Sequence, residues 1–197
     1  DGGAPLEGVT VCAYQSSPYV SVCGSTDASG VYSISVPGGS YRVYFEPENH
    51  YVSEYYDDVP LYEYNEYDPV AVSDDMVTPN INASLAPGFQ VIGQVTEEAT
   101  GDPLAGIDIY IERLPNGDYW AGAYTDANGI YTTTPGVPAG SYRVEFNDYG
   151  GVYAKEYYAD VYHPDLMTPV EITSAHRTGI DAALVPGAVI TGVVTDP

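Results

Sequence analysis

The sequence predicts an all-β protein built from two consecutive β-sandwich modules, and three observations support this prediction. The 197 residues include 21 Tyr, 21 Gly and 16 Pro, a composition typical of strands separated by turns. Apolar and polar residues alternate in short segments, as in half-buried strands, and no segment of useful length shows helical periodicity. Finally, the chain repeats itself after about 100 residues, which is the size of an ordinary domain.

Four blocks of sequence occur twice in the same order, and together they establish the duplication. The clearest block is Thr-Asp-x-x-Gly-x-Tyr at residues 26–32, which returns at residues 125–131. Another is Gly-Ser-Tyr-Arg-Val-x-Phe. This second block occupies residues 39–45 and 140–146, and the remaining pairs are 54–59 with 156–161 and 83–88 with 182–187.

The elements of one module follow in order along the chain. An opening strand is predicted from the alternation around Val91, Gly93 and Val95, and later strands are predicted at residues 107–112 and 142–146. Between them lies an Asp-x-x-Gly turn, in which Asp accepts hydrogen bonds from backbone amides and Gly supplies a positive φ. Several short strands separated by turns predict two stacked sheets with Greek-key connections.

The opening strand decides where the modules begin and end. Its pattern precedes the second copy and returns at Ile190, Gly192 and Val194, but it does not precede the first copy. We therefore expect three parts. They are a first module at residues 1–87 that lacks its opening strand, a complete second module at residues 88–187, and the opening strand of a further repeat at residues 188–197.

The order Pro-Leu-x-Gly-Val/Ile, Thr-Asp-x-x-Gly-x-Tyr and Gly-Ser-Tyr-Arg-Val resembles the carboxypeptidase regulatory-like domain and the related collagen-adhesin B-type repeats of bacterial surface proteins. The resemblance covers nearly the whole chain, twice. It implies a transthyretin-like sandwich of about seven strands, used as a spacer, stalk or adhesin repeat outside the cell. Some relatives carry a Lys–Asn isopeptide bond. Since the only lysine, Lys155, lies far from the opening strand, we expect no such bond here.

The charge of the chain excludes two classes of partner. With 28 acidic and 5 basic residues, the formal net charge is -23. Nucleic acid is excluded because phosphate binding needs clustered Lys and Arg, and an anionic membrane surface is disfavoured for the same reason. No apolar run approaches the roughly 20 residues that span a bilayer, so we expect no membrane insertion in this segment. The acidity is explained either by mutual repulsion of soluble copies or by cation binding.

We expect no enzymatic activity, because the sequence offers no set of catalytic residues. His50, His163 and His176 show no metal-ligand spacing, and no Gly-x-Ser-x-Gly turn is present. A glycine-rich phosphate loop is also absent, and no pair of carboxylates stands out as a glycosidase pair.

Calcium is the one cofactor that the residues suggest. Asp57, Asp58 and Asp160 offer hard oxygen ligands near predicted turns. However, the sequence contains no EF-hand or nonapeptide calcium motif, and Asp in a turn usually bonds to the backbone. Both interpretations stay open, with no cofactor as the simpler one.

Cys12 and Cys23 lie on opposite sides of a short connection between two predicted strands. A disulfide across this hairpin would suit an oxidising compartment. Closing so short a loop would contribute roughly 2–3 kcal/mol in the chain-entropy model. The alternative is a pair of reduced, buried thiols. The aligned positions in the second module are Tyr110 and Gly122, so the bond would reinforce the first module alone.

Tyrosine and acidic residues fill residues 51–67 and the corresponding part of the second copy. A tyrosine ring has an apolar face and a polar tip, so it suits either packing between modules or stacking on a sugar. Separately, Asn82 begins an Asn-Ala-Ser glycosylation sequon. The candidate sugar-binding or interface tyrosines are Tyr51, Tyr55, Tyr56, Tyr62, Tyr64, Tyr67, Tyr157 and Tyr158.

The predicted function is structural. We expect a repeat unit of an extracellular filament, stalk or surface array, with copies of itself as head-to-tail partners and glycans as further candidate partners. The joining strand would either continue the array covalently or be donated to another copy. The alternatives are a carbohydrate-binding adhesin module and a calcium-stiffened spacer. The residues expected in the inter-unit strand are Val189, Ile190, Gly192, Val193, Val194 and Thr195.

Overall fold

The chain is a β-sandwich protein, as the sequence predicts, in a computed structural model that describes residues 3–61 and 67–195. No helix among these residues has the length and apolar character needed to cross a membrane. The described strands of the first module are β1 Thr10–Ser16, β2 Tyr19–Ser25, β3 Gly39–Glu46, β4 Glu54–Tyr55, β5 Val59–Pro60 and β6 Val70–Val72.

The second module contains both sheets of a sandwich. One sheet has the order β12-β11-β8-β9, with β13 also paired to β11, and the facing sheet has the order β10-β7-β14, with β15 also paired to β7. A short 3-10 turn at Pro164–Leu166 lies between β12 and β13. The strands are β7 Val91–Glu97, β8 Asp108–Arg113, β9 Asp118–Tyr124, β10 Ile130–Thr132, β11 Gly140–Asn147, β12 Glu156–Tyr157, β13 Val170–Ile172, β14 Arg177–Thr178 and β15 Ala182–Leu184.

The core of the second module forms where its two sheets meet. Val91 and Val95 of β7 pack against a cluster that includes Ile109 of β8 and Phe146 of β11, and all four are buried. The ring of Tyr131 on β10 meets that of Phe146 edge to face, with 6.1 Å between centroids. Alternation along the strands therefore places the apolar side chains between the sheets, as the period-2 pattern predicts.

The first module repeats one of these sheets with the same pairings. Its strands run in the order β2-β1-β3-β4-β5, with β6 also paired to β3. Cys12 on β1 lies opposite Cys23 on β2, just as Tyr110 on β8 lies opposite Gly122 on β9. Among the described residues of this module, no strand corresponds to β7, β10, β14 or β15.

The Asp-x-x-Gly turns form as predicted in both modules. One carboxylate oxygen of Asp126 accepts hydrogen bonds from the backbone amides of Asn128 and Ile130, at 2.8 and 2.9 Å. These backbone bonds lower the pKa of Asp126. Gly129 then adopts a φ of 71°, where a Cβ would lie 2.3 Å from the carbonyl oxygen of Val95. The turn is thus locked against β7, and glycine is required there.

Candidate functional site

Strand β7 occupies a slot in the second sheet of the second module. It runs antiparallel to β10 and parallel to β14 and β15. Val91 and Val95 point into the core and are fully buried. Between them, a Cβ on Gly93 would lie 2.0 Å from the carbonyl oxygen of Ile180. The slot therefore accepts a strand with the pattern apolar, glycine, apolar at alternate positions.

The first module keeps the walls of this slot but has no described strand between them. The hydroxyl of Tyr32 donates to the carbonyl oxygen of Ile81 at 2.6 Å, as that of Tyr131 donates to Ile180 in the second module, also at 2.6 Å. Yet Tyr32, Ile81 and Leu85 are only partly buried, whereas their counterparts in the second module are at most 2% exposed. Apolar surface is left uncovered along the first module's slot.

The predicted inter-unit strand is extended from the body of the chain. Ile190 is 99% exposed and Val194 is 100% exposed, and the segment forms no strand within the described part of the chain. A Cβ on Gly192 would meet nothing within 4 Å. The other members of this strand are also exposed: Val189, Val193 and Thr195.

The two modules meet at a junction that depends on Gly136. Its amide donates to the carbonyl oxygens of Asn49 and Tyr51, at 3.0 and 2.9 Å. A Cβ on Gly136 would lie 2.0 Å from the carbonyl oxygen of His50. Gly88 lies in the same contact, since its Cβ would be 2.8 Å from the carbonyl carbon of Gly136. Only glycine permits this approach of the two backbones.

Residues 90–185 match the model of the carboxypeptidase regulatory-like domain family. The second module is a carboxypeptidase regulatory-like domain. The match begins just before β7 and ends just after β15, so it includes the opening strand and both sheets. The family resemblance predicted from the sequence motifs is therefore confirmed for this module.

Several solved structures align with the chain at low sequence identity and low TM-scores. The chain is 14% identical to the Bacillus anthracis TIE protein, with a TM-score of 0.39, covering 94% of this chain but only 32% of that one. Shaft pilin SpaA from Lactobacillus rhamnosus GG is 9% identical, with a TM-score of 0.39 and coverage of 97% and 92%. BcpA, the major pilin subunit of Bacillus cereus, is 11% identical, with a TM-score of 0.33 and coverage of 93% and 60%. Among curated proteins none matches the chain significantly.

Cys12 and Cys23 form a disulfide in the first module. The two residues are directly opposite each other on β1 and β2, with 4.1 Å between their Cα atoms. The carboxypeptidase regulatory-like domain of the second module has Tyr110 and Gly122 at these positions. The bond therefore ties one edge hairpin of one module.

The acidic calcium candidates lie in hairpin turns. Asp57 and Asp58 have φ angles of 68° and 60° between β4 and β5, and Asp160 has a φ of 57° in the matching turn. All three side chains are exposed. Within residues 3–61 and 67–195, no group of three or more His, Cys, Asp or Glu side chains is placed to hold a metal ion.

The candidate tyrosines divide by burial. Tyr55 and Tyr157 are buried, and their rings therefore cannot stack on a sugar. Tyr55, like Tyr67, lies within 5.4 Å of the guanidinium carbon of Arg42, measured to the ring centroid. The partly buried members are Tyr51, Tyr56, Tyr67 and Tyr158, while Tyr62 and Tyr64 lie outside the described residues.

The glycosylation candidate Asn82 is exposed beside the open slot. Its counterpart Asp181 accepts a hydrogen bond from the backbone amide of Gln94 on β7, at 2.8 Å. Asn82 is thus placed to contact a strand entering the first module.

Two features of the site carry no local signal that sequence reasoning could use. Gly136 belongs to a Pro-Gly insertion, because six residues separate Tyr131 from Pro138 where four separate Tyr32 from Pro37. Aligning the copies shows the insertion but not its contact with the preceding module. The buried glutamates Glu54 and Glu156 were likewise missed, since ionisable residues are expected at the surface.

Proposed function

We propose that the chain is a structural repeat unit of an extracellular filament, stalk or surface array. In this proposal the segment 190–195 enters the first module of another copy, in the position that β7 occupies in the second module. The observation that carries the proposal is the match between an open slot and an exposed strand of the required pattern. Gly192 corresponds to Gly93, with Ile190 and Val194 in the places of Val91 and Val95.

The energetics favour such an insertion. Covering Ile190 and Val194 would contribute on the order of 1.5–3 kcal/mol each, in addition to the main-chain hydrogen bonds of a new strand. The same event would bury the partly exposed Tyr32, Ile81 and Leu85. It would also pair a sheet edge that otherwise invites aggregation.

The disulfide of the first module indicates the compartment in which the chain works. A disulfide such as Cys12–Cys23 forms and persists in oxidising compartments, which supports a location outside the cytoplasm. The large negative charge keeps separate copies soluble until a specific contact forms. Neither feature requires a catalytic role, and we assign none.

The proposal predicts that the complete chain associates with itself and that Gly192→Val prevents this association. In the slot, the new Cβ would meet the main-chain carbonyl that corresponds to Ile180. In the free chain the substitution meets nothing, so the fold is unaffected. Sedimentation velocity over a range of concentrations measures the effect. Thr191→Val is the matched control, because its counterpart Ile92 is not among the buried core residues.

A synthetic peptide covering residues 188–197 distinguishes the route of joining. Added in excess to the complete chain, it should block association and raise the melting temperature of the first module. If the peptide stabilises the module although the chain alone stays monomeric, the strand comes from a covalently preceding repeat. The proposal is wrong if the chain stays monomeric and the peptide has no effect.

A further inference from the structure

The outer face of the second module carries an open groove that its assembly role does not use. The groove has a volume of about 460 Å³ and crosses β8 and β9. Tyrosine rings, one carboxylate and two threonine hydroxyls surround it. Its lining includes Asp108, Tyr110, Gly122, Tyr124, Thr132 and Thr134.

Exposed tyrosine rings lie at and beside this groove, because Tyr124 is one of its lining residues and Tyr149 contacts the lining residue Tyr110. Tyr124 is 71% exposed, and Tyr149, next to Tyr110, is 72% exposed. The hydroxyl of Tyr110 donates to that of Tyr149 at 3.1 Å, and their rings meet edge to face with 6.5 Å between centroids. The tyrosine hydroxyls are thus held in place while ring surface stays open to solvent. Such an arrangement is typical of a wet binding surface.

A buried carboxylate lies beside the exposed ring of Tyr124. Asp108 is 7% exposed, and it accepts a hydrogen bond from the hydroxyl of Tyr124, which raises the pKa of that tyrosine. The exposed hydroxyls of Thr132 and Thr134 complete the polar lining.

The first module shows that the fold does not require this groove. At the corresponding register positions it has the Cys12–Cys23 disulfide where the second module has Tyr110 and Gly122. It also has the pair Thr10 and Ser25 where the second module has Asp108 and Tyr124. At these positions the β1–β2 pair therefore carries a covalent bond, whereas the corresponding β8–β9 pair carries glycine, tyrosine and a carboxylate.

We propose that the groove binds a neutral saccharide. Two sugar rings of an oligosaccharide would stack on the exposed faces of Tyr124 and Tyr149, and sugar hydroxyls would bond to Asp108 and to the two threonines. Stacking surface combined with fixed hydrogen-bonding groups is the chemistry that recognises a sugar. The site does not rest on strand exchange, because it belongs to the second module, whose slot is filled by β7.

Other classes of ligand fit the groove poorly. No cationic side chain lines it and the chain carries a net charge of -23, so an anionic ligand is repelled. A calcium ion takes six to eight oxygen ligands, whereas Asp108 is the only carboxylate here. An extended peptide would need a free strand edge, but Gly122 already exchanges both backbone hydrogen bonds with Thr134.

Isothermal titration of the complete chain with cellohexaose, chitohexaose, maltohexaose and xylohexaose tests the proposal. We expect one of the four to bind with one site per chain. Tyr124→Ala and Tyr149→Ala should each weaken that binding about tenfold, because each removes a stacking surface. Tyr19→Ala is the matched control, since Tyr19 is 73% exposed in the first module, and it should change nothing.

A second variant replaces two lining residues without removing either exposed ring. Tyr110→Cys combined with Gly122→Cys would copy the disulfide of the first module and should abolish binding, while circular dichroism shows an unchanged fold. The proposal is overturned if none of the four sugars binds. It is equally overturned if binding survives in Tyr124→Ala, Tyr149→Ala and the double-cysteine variant, or if Tyr19→Ala weakens binding to the same degree.

Discussion

Two glutamates are the least expected residues in this molecule. Glu54 begins β4 and Glu156 begins β12, and both side chains are buried. One carboxylate oxygen of each has no hydrogen-bond partner. Burial raises the pKa of both groups to about 7, and the negative charges of Asp58 and Asp160 add to the effect. The modules thus hold carboxyl groups that titrate near neutral pH.

These pKa values predict that the protein gains stability in mild acid. A group whose pKa is raised on folding binds its proton more tightly in the folded state. Its stabilising effect is therefore complete below its ordinary pKa of 4.5 and is lost as the pH rises through about 7. Denaturant unfolding should show each module becoming more stable, by about 2 kcal/mol, as the pH falls from about 8 to about 5.

Replacing Glu156 with Gln tests this assignment at one site. The amide cannot ionise, so the second module should lose most of its pH dependence and become more stable above about pH 8. Glu48→Gln, at an exposed position, serves as the control and should leave the profile unchanged. Equal pH profiles for Glu156→Gln and the unmodified chain would show that burial of this carboxyl is not the cause.

At the scale of elements, the junction between modules depends on the backbone more than on side chains. Gly136→Ala would place a methyl group against the carbonyl oxygen of His50. We expect the hydrogen bonds from the backbone amide of Gly136 to the carbonyl oxygens of Asn49 and Tyr51 to break, while both cores stay intact. Small-angle X-ray scattering should then show a broader distribution of interatomic distances. The free energy of unfolding of either module should change by only about 1 kcal/mol.

The matched control for this prediction is Gly187→Ala. Gly187 occupies the same position in the second module as Gly88 in the first, but its Cβ would come no closer than 3.6 Å to any neighbour. Its scattering profile should equal that of the unmodified chain. If Gly136→Ala gives the same profile as well, the two modules are not held by this contact.

Much of the fold could be predicted from the sequence because its signals are local. Strand β3 follows from alternation over residues 41–45, and the turn after Asp126 follows from one carboxylate and one glycine. The disulfide partners were predictable because they lie across one short hairpin. Each of these features is determined by residues that are close together in the chain.

The junction and the groove could not be predicted in the same way. His50 and Gly136 are far apart in sequence, and their contact depends on how two finished modules meet. Asp108 looks like an ordinary solvated acid until the register of β8 and β9 places it opposite Tyr124. Glu156 is likewise buried because of the packing around β12, and no local sequence pattern predicts this packing.

At the scale of the whole molecule, charge opposes the proposed assembly. Every copy carries a formal net charge of -23, so two copies repel each other over about a Debye length, roughly 10 Å at 0.1 M salt. Strand insertion relies instead on apolar burial and main-chain hydrogen bonds, which salt screens little. Added salt should therefore strengthen association.

Sedimentation velocity at about 0.05 M and about 0.5 M sodium chloride measures this effect. The apparent dissociation constant should fall at the higher concentration, and lowering the pH toward the carboxylate pKa values should act in the same direction. Weaker association at high salt would indicate that complementary charges join the copies, against the proposed strand exchange.

The Pro135–Gly136 insertion also has a mechanical consequence. Only the second module carries it, so only the boundary between the first and second modules is clamped. A boundary at which a module precedes the first one lacks this glycine. An array of such pairs would behave as a series of two-module rods linked by softer joints. Its bending stiffness would alternate along its length, and tension would straighten the soft joints before it loaded the clamped ones.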